Sequence, residues 1–183
     1  NFHFTLRFLG YTPPDALQRL VPELRAAVAA HEAFSLTLAG VGAFPSARRP
    51  QTIWIGVSEG GKPLEALAGS VERAVVAQGF SPEERPFRAH LTLGRVKAPR
   101  PPADLARALE AMPEGEEVAR IRVGEVVLMR SDLRPSGPIY TPMEVFGLSS
   151  RAGLRPARDR NPHARHHGDT RTGARQAAPV HLR

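Results

Sequence analysis

Two short stretches carry the residues whose types and spacing could do chemistry. The sequence reads His-Phe-Thr-Leu at 3–6 and His-Leu-Thr-Leu at 90–93, so both copies have the form His–apolar–Thr–apolar. The chain contains only 7 His, and two copies of such a pattern are not expected by chance. Each copy brings an imidazole and a hydroxyl together, and the two copies predict a single site built from both.

Such a pair of histidines is suited to acid–base chemistry at a phosphodiester. The unperturbed pKa of histidine, about 6.5, lets it act as acid or base near neutral pH. An in-line displacement at phosphorus can use a base for the attacking group and an acid for the leaving oxygen, on opposite sides of phosphorus. His3 and His90 can fill these roles, and the residue types allow either histidine to take either one. The hydroxyls of Thr5 and Thr92 can donate hydrogen bonds to the phosphate oxygens where charge builds up.

Both motifs are predicted to lie on β-strands. Side chains alternate between the two faces of a strand, so the His and Thr of each copy point to the same side. Alternation extends over residues 2–9 and predicts that Phe2, Phe4, Leu6 and Phe8 form an apolar face on the other side. On this pattern Arg7 shares a face with Thr5, either as an exposed arginine or as a neighbour of the bound phosphate.

Hydrophobic periodicity predicts the element order β-α-β-β-α-β-α-β-β-β. An interior Pro22 is expected to kink or delay the first helix. Antiparallel sheets covered by helices then predict an α+β fold of two pseudo-symmetric lobes, each a sheet with helices on one face, and an active-site cleft between them. The predicted helices span 12–28, 63–79 and 103–112, and the predicted strands span 2–9, 34–38, 52–57, 88–95, 117–123, 125–129 and 139–146.

Composition limits the class of protein. A chain of 183 residues that is 42% apolar can bury a core. No apolar run approaches the length of a membrane span, and the absence of Cys excludes disulfides and thiolate chemistry. These features predict a monomer in the reducing cytoplasm that does not contact a membrane.

Charge divides the chain into a globular domain at 1–148 and a basic tail at 149–183. The tail holds 8 Arg and 2 Asp, whereas the domain holds 17 Lys or Arg against 16 Asp or Glu. The tail lacks apolar periodicity and is predicted to be disordered, either as an arm that helps to hold a nucleic acid or as an extension without a role. The domain is nearly neutral, so any affinity for a polyanion there must come from a local site.

Three further stretches carry a family resemblance. They are Gly-Val-Gly-Ala-Phe-Pro at 40–45, Ile-Trp-Ile-Gly-Val at 53–57, and residues 128–140. With the two His motifs, they make residues 1–147 resemble the 2H phosphoesterases, and most of all the bacterial RNA 2′,3′-cyclic phosphodiesterases of the 2′-5′ RNA ligase family. The resemblance implies metal-independent, cofactor-free hydrolysis of RNA 2′,3′-cyclic phosphate ends to 2′-phosphates, together with 2′-5′ RNA ligase activity.

The resemblance also implies roles for individual residues. His3 would be the general acid that protonates the 3′ oxygen, and His90 the general base that activates water. Phe8 would stack on a base and Arg95 would contact phosphate, although strict alternation puts both on the wrong face. A bend at Gly94 could turn Arg95 inward, whereas the position of Phe8 favours a core aromatic over a residue that stacks on a base. We interpret Trp54, which alternates with two isoleucines, as a packing residue.

Rival interpretations stay open on the sequence alone. The family carries a strand and a helix upstream of the point where this sequence begins at Asn1, so the domain is predicted to be N-terminally incomplete. The same motif pair also fits a 2H enzyme that acts on small cyclic nucleotides or 2′-5′ oligonucleotides. A protein from another class, an RNA-binding module without catalysis, is the remaining alternative.

Overall fold

The computed structural model describes residues 2–97, 103–112, 115–134, 137–150 and 180–182. The elements follow the predicted order and add one short strand at the end. In chain order they are β1 (Arg7–Gly10), α1 (Pro14–Ala29), β2 (Phe34–Phe44), β3 (Thr52–Glu59), α2 (Gly61–Ala77), β4 (Leu91–Arg95), α3 (Ala103–Glu110), β5 (Glu117–Val123), β6 (Glu125–Arg134), β7 (Gly137–Gly147) and β8 (Val180–Leu182).

The strands form two antiparallel four-stranded sheets, which confirms the predicted α+β class. Sheet I has the order β1-β8-β6-β7, and sheet II has the order β4-β3-β2-β5. Helices α1 and α2 pack against each other and against strands of sheet I, while α3 contacts β2 of sheet II. Strand β1, which follows the first His motif, and strand β4, which begins within the second, are each the edge strand of their sheet.

The main hydrophobic core lies between sheet I and the two long helices. Leu20, Leu24 and Val28 line one face of α1 at helical spacing and are fully buried. They meet Val71 of α2 and Phe146 of β7 in the same cluster. A smaller cluster beneath sheet II contains Leu38, Ile55 and Leu91. Each sheet therefore has its own buried face, as a two-lobed fold requires.

Helix α1 runs without interruption through Pro22, so the predicted kink or delay does not divide the helix. Pro14 fits the first turn of the helix, where the amide groups have no intrahelical partner, whereas Pro22 lies in its interior. Strand β2 continues to Phe44, well beyond the predicted end at residue 38. Pairing with β3, which continues to Phe44, supports this extra length, whereas pairing with β5 ends at Ala39. A local sequence pattern does not reveal this pairing.

Residues 2–10 do not form the single strand that their alternation predicts. Phe4 forms an isolated antiparallel bridge with Leu91 of sheet II, whereas β1 begins at Arg7 in sheet I. The buried residues accordingly change phase: Phe4 packs on the small core, while Arg7 and Leu9 are buried further on. This short segment passes from one sheet to the other and so connects the two lobes.

The C-terminal residues differ in part from the predicted disordered tail. Ser149 hydrogen-bonds to the chain at the end of α1: its amide and hydroxyl donate to the His31 carbonyl at 2.8 Å and 2.9 Å. Val180–Leu182 form β8, between β1 and β6. The other tail residues, 151–179 and 183, lie outside the described residues. Within the part of the chain that the structure describes, no helix is long and apolar enough to cross a membrane.

Candidate active site

One backbone contact brings the two His motifs together. The antiparallel bridge between Phe4 and Leu91 sets their neighbours opposite each other, so His3 lies across from Thr92 and Thr5 across from His90. Phe4 and Leu91 pack into the sheet II core, and the four polar residues therefore point to the other face. The two histidines therefore occupy one diagonal of these four positions, roughly 7–8 Å apart, and the two threonines occupy the other.

The backbone near His90 determines which of its ring nitrogens carries a proton. Nδ1 lies 2.8 Å from the Arg88 carbonyl oxygen. A carbonyl can only accept, so Nδ1 must donate its hydrogen to Arg88. In the neutral ring the lone pair is then on Nε2, which is the form that a general base needs. This geometry supports the base role for His90.

Each histidine also contacts the edge of an aromatic ring that the sequence argument did not assign to the site. The His3 ring lies 5.7 Å from that of Tyr140, at 71°, and the His90 ring lies 5.1 Å from that of Phe44, at 88°. Such edge-to-face contacts favour one ring orientation. Both aromatic residues fall within the stretches that carry the family resemblance, which is the only sequence signal that could have identified them.

The Phe44 ring rests in turn on Trp54, with ring centroids 5.2 Å apart. Trp54 covers Gly42, where an added Cβ would lie only 2.3 Å from the indole Cζ2. Position 42 therefore requires glycine, because a Cβ on any other residue would lie too close to the indole ring. Trp54 is half-buried in this stack, as expected of a packing residue.

Substituting Gly42→Ala should move Trp54 and, through Phe44, the His90 ring. We expect overpacking to cost about 1–3 kcal/mol of unfolding free energy and to lower kcat as well. Urea unfolding and steady-state kinetics measure the two effects. Gly147→Ala is the matched control, because a Cβ there meets nothing within 4 Å. Equal stability and kcat in the two variants would show that the position of the Trp54 indole does not require glycine at residue 42.

Arg95 reaches the same face as Thr92 because β4 is irregular. Thr92 pairs with Trp54 and Arg95 pairs with Thr52, with a register shift between these pairs. Trp54 and Thr52 are two residues apart on β3 and share a face, so Thr92 and Arg95 do too. The extra residue is Leu93, next to Gly94, where the sequence predicted a bend. Arg95 is exposed and lies beside the motif residues.

Two predictions for the first strand are wrong about burial. Phe8 is 61% exposed and is not a core aromatic, so its side chain is accessible to a ligand. Arg7 is buried at 8% exposure and is neither an exposed arginine nor a phosphate neighbour, because carboxylates surround it. Both errors have one cause. The chain changes from sheet II to sheet I between Phe4 and Arg7, and this change reverses which residues of the alternating pattern are buried and which are exposed.

An open cavity of about 330 Å³ is lined by His3, Phe4 and Leu6 of the first motif but not by Thr5, His90 or Thr92. Its lining is mostly apolar and includes Leu64 and Leu67 of α2. The groups suited to acid–base and phosphate chemistry lie instead on the shared face of the bridged motifs. We therefore assign the site to that face, because a phosphodiester reacts where the acid, the base and the hydrogen-bond donors lie, whether or not that surface is the most concave.

The fold and the site together define a class. The segment that carries the first motif bridges to the second motif at the start of the edge strand β4, and both His–x–Thr pairs lie on one common face, as in the 2H phosphoesterases. A model of the 2′-5′ RNA ligase superfamily matches residues 2–135. The chain belongs to this superfamily and is a hydrolase of the 2H type.

Relatives and solved structures agree with this assignment. A protein of Methanothermobacter thermautotrophicus named RNA 2′,3′-cyclic phosphodiesterase is 41% identical over 148 residues, 81% of this chain and 79% of the relative. One of the same name from Aeropyrum pernix is 39% identical over 82% of this chain and 84% of its own length. The crystal structure of E. coli LigT complexed with NADP+ matches with a TM-score of 0.63 at 26% identity, covering 81% of this chain and 77% of LigT.

Proposed function

We propose that this enzyme hydrolyses 2′,3′-cyclic phosphate ends of RNA to 2′-phosphates with two histidines and no metal. The bridge between Phe4 and Leu91 is the observation that carries this proposal, because it sets both motifs on one face. The two relatives described above are named for this reaction. A cytoplasmic location accords with it, since a chain without Cys is compatible with a reducing compartment.

In this mechanism the two histidines act on opposite sides of phosphorus. His90 takes a proton from water through Nε2, and the resulting hydroxide forms a new bond to phosphorus. The bond from phosphorus to the 3′ oxygen breaks, and His3 gives its proton to that oxygen. The phosphate stays on the 2′ oxygen. The diagonal arrangement of the histidines suits in-line displacement, because the phosphate can lie between them.

The other site residues stabilise charge and hold the substrate. Thr5 and Thr92 lie on the other diagonal of the four motif positions and donate to the non-bridging oxygens as negative charge develops. Arg95 approaches the same face and binds phosphate through its planar guanidinium. Phe8, exposed on β1, offers a surface on which a base can stack. RNA is therefore bound by a local site on a domain of nearly balanced charge.

A second reaction follows from the same geometry, and the superfamily description favours it. If an RNA 5′-hydroxyl replaces water as nucleophile, His90 can deprotonate it in the same way. Attack on the cyclic phosphate then forms a 2′-5′ linkage, with the 3′ oxygen again leaving. We propose this ligation as a second activity of the site.

The choice of substrate is tested by comparing kcat/KM on three classes of molecule. These are RNA with a 2′,3′-cyclic phosphate end, 2′,3′-cyclic mononucleotides, and 2′-5′ oligonucleotides, with the products identified by ³¹P NMR. We expect cyclic-ended RNA to be preferred and to yield a 2′-phosphate. Preference for either small substrate would support another 2H activity, and binding of RNA without turnover of any of the three would support a binding module.

Activity should survive removal of metal ions, because two imidazoles and two hydroxyls supply every group that the mechanism requires. Among the described residues, no cluster of three or more His, Asp or Glu is spaced to hold a metal ion. We therefore expect unchanged kcat after exhaustive EDTA treatment and buffer exchange. Loss of turnover that only a divalent cation restores would refute the metal-free mechanism.

A further inference from the structure

Arg7 is the most constrained charged side chain near the two motifs. Its side chain is only 9% exposed, and Nε lies 2.9 Å from Oε2 of Glu72 on α2. Nη1 donates to Glu83, and Nη2 donates to the carbonyl of Ser81. The guanidinium thus makes two hydrogen bonds, through Nη1 and Nη2, and an ion pair with Glu72 in which the Nε hydrogen is not aligned to donate. Its rigid planar shape holds these contacts in three directions.

These partners connect separate parts of the site. Arg7 belongs to β1, just after the first motif, whereas Ser81 and Glu83 lie on the loop that leads from α2 to His90. The Glu83 amide also donates to Oε1 of Glu72 at 2.7 Å. The loop is therefore bound both to α2 and to β1 at one point, seven residues before the second motif histidine.

We propose that Arg7 is a positioning residue that fixes the loop before His90 relative to the strand after His3. The inference rests on the proposed function, in which the two histidines must lie on opposite sides of one phosphate. The bridge between Phe4 and Leu91 sets their register at a single pair. Arg7 supplies a second attachment between the same two segments, and two attachments restrict rotation about the bridge where one alone does not.

The requirement is for an arginine and not merely for a positive charge. Lysine carries all of its donors on one nitrogen at the end of a flexible stem, so it cannot span Glu72, Glu83 and the Ser81 carbonyl as the planar guanidinium does. Arg7→Lys therefore keeps the charge and most of the packing but loses the fork. A small misplacement of catalytic groups can cost about 10²-fold in rate, so we expect kcat to fall by about 10- to 100-fold with KM changed by less than about twofold.

The experiment compares Arg7→Lys, Arg7→Met and Glu83→Gln with the wild type. Glu83 is 48% exposed, and its substitution weakens the attachment without leaving two unpaired carboxylates, so this variant keeps the test valid if Arg7→Met does not fold. Kinetics on a 2′,3′-cyclic mononucleotide are measured well below each melting temperature. Amide hydrogen exchange of residues 81–90 gives a readout that is independent of activity.

Arg19→Met is the matched control, because its pair with Asp15 is exposed and lies on one helix. We expect faster exchange at 81–90 and lower kcat in the Arg7 and Glu83 variants, and neither effect in the control. A fall in melting temperature with wild-type kcat and unchanged exchange at 81–90 would overturn the inference and leave a merely structural ion pair. An equal fall in kcat for Arg19→Met would overturn it as well.

Failure of the proposed function has a different signature. If the wild type turns over no cyclic phosphate, the hydrolase proposal fails. In that event exchange at 81–90 alone decides whether Arg7 holds the loop, and unchanged exchange in Arg7→Lys refutes the attachment.

Discussion

Replacing His90 or His3 by Ala should lower kcat for cyclic phosphate opening by about 10²- to 10⁴-fold, the usual contribution of a positioned acid or base. The expectation rests on the bridge that brings both histidines to one face and on the Nδ1 contact that leaves Nε2 of His90 free to accept a proton. Both imidazoles are half-buried and near the surface, so neither change should unfold the protein. Single-turnover kinetics on a 2′,3′-cyclic mononucleotide measure the effect on chemistry.

His31→Ala provides a matched control outside the site. Its Nε2 is 2.8 Å from the Ser70 hydroxyl, so it too is a half-buried, hydrogen-bonded histidine. We expect this variant to keep its activity. Near-normal turnover by His3→Ala or His90→Ala would exclude that residue from the chemistry, and a comparable loss in His31→Ala would attribute the effect to general destabilisation.

Replacing Thr5 or Thr92 by Val should lower kcat by about 10²- to 10³-fold, as loss of one donor to a developing oxyanion does. Valine keeps the β-branched shape, so strand geometry is preserved while the hydroxyl is lost. KM should change little, because the hydroxyls act chiefly where charge builds up in the transition state. Full kcat and KM determination on the same mononucleotide separates the two effects.

Thr141→Val is the control for the threonine variants, since Thr141 is exposed on a strand of sheet I. It should behave as the wild type. Full activity of Thr5→Val or Thr92→Val would show that the hydroxyl of that threonine has no role in catalysis. A rise in KM with kcat unchanged would instead show that the hydroxyl binds substrate and transition state equally.

Much of the fold and the site was predictable because its signals are local. Alternation and helical spacing predict the element order, and the repeated His–x–Thr pattern predicts that two strands share one site. The approach of Arg95 also has a local signal, since glycine within a strand indicates a bulge or a bend. The structure has the irregularity there, between the pairs made by Thr92 and Gly94.

The rest depends on long-range pairing that a local pattern does not contain. Alternation over residues 2–9 predicts one strand, but the segment joins sheet II at Phe4 and sheet I from Arg7 onward. This change of partner exposes Phe8 and buries Arg7. The partners of Arg7, on α2 and on a loop more than 70 residues away, have no signature near Arg7 itself.

The strand formed by Val180–Leu182 shows the same limit. Three residues at the end of a basic, Pro-containing segment have no pattern that predicts a place between β1 and β6. Tyr140 of β7 likewise approaches His3 from a distant part of the chain. Contacts of this kind follow from topology and cannot be read from neighbouring residues.

The pH dependence of kcat/KM, for the wild type and both histidine variants, tests the two-histidine mechanism most directly. The wild type should give a bell, because one imidazole must be neutral and the other charged. Residual activity of His90→Ala should lack the acidic limb, which belongs to the base, and that of His3→Ala should lack the alkaline limb, which belongs to the acid. A flat wild-type profile from about pH 5 to about pH 9, or a full bell in either variant, would contradict the mechanism.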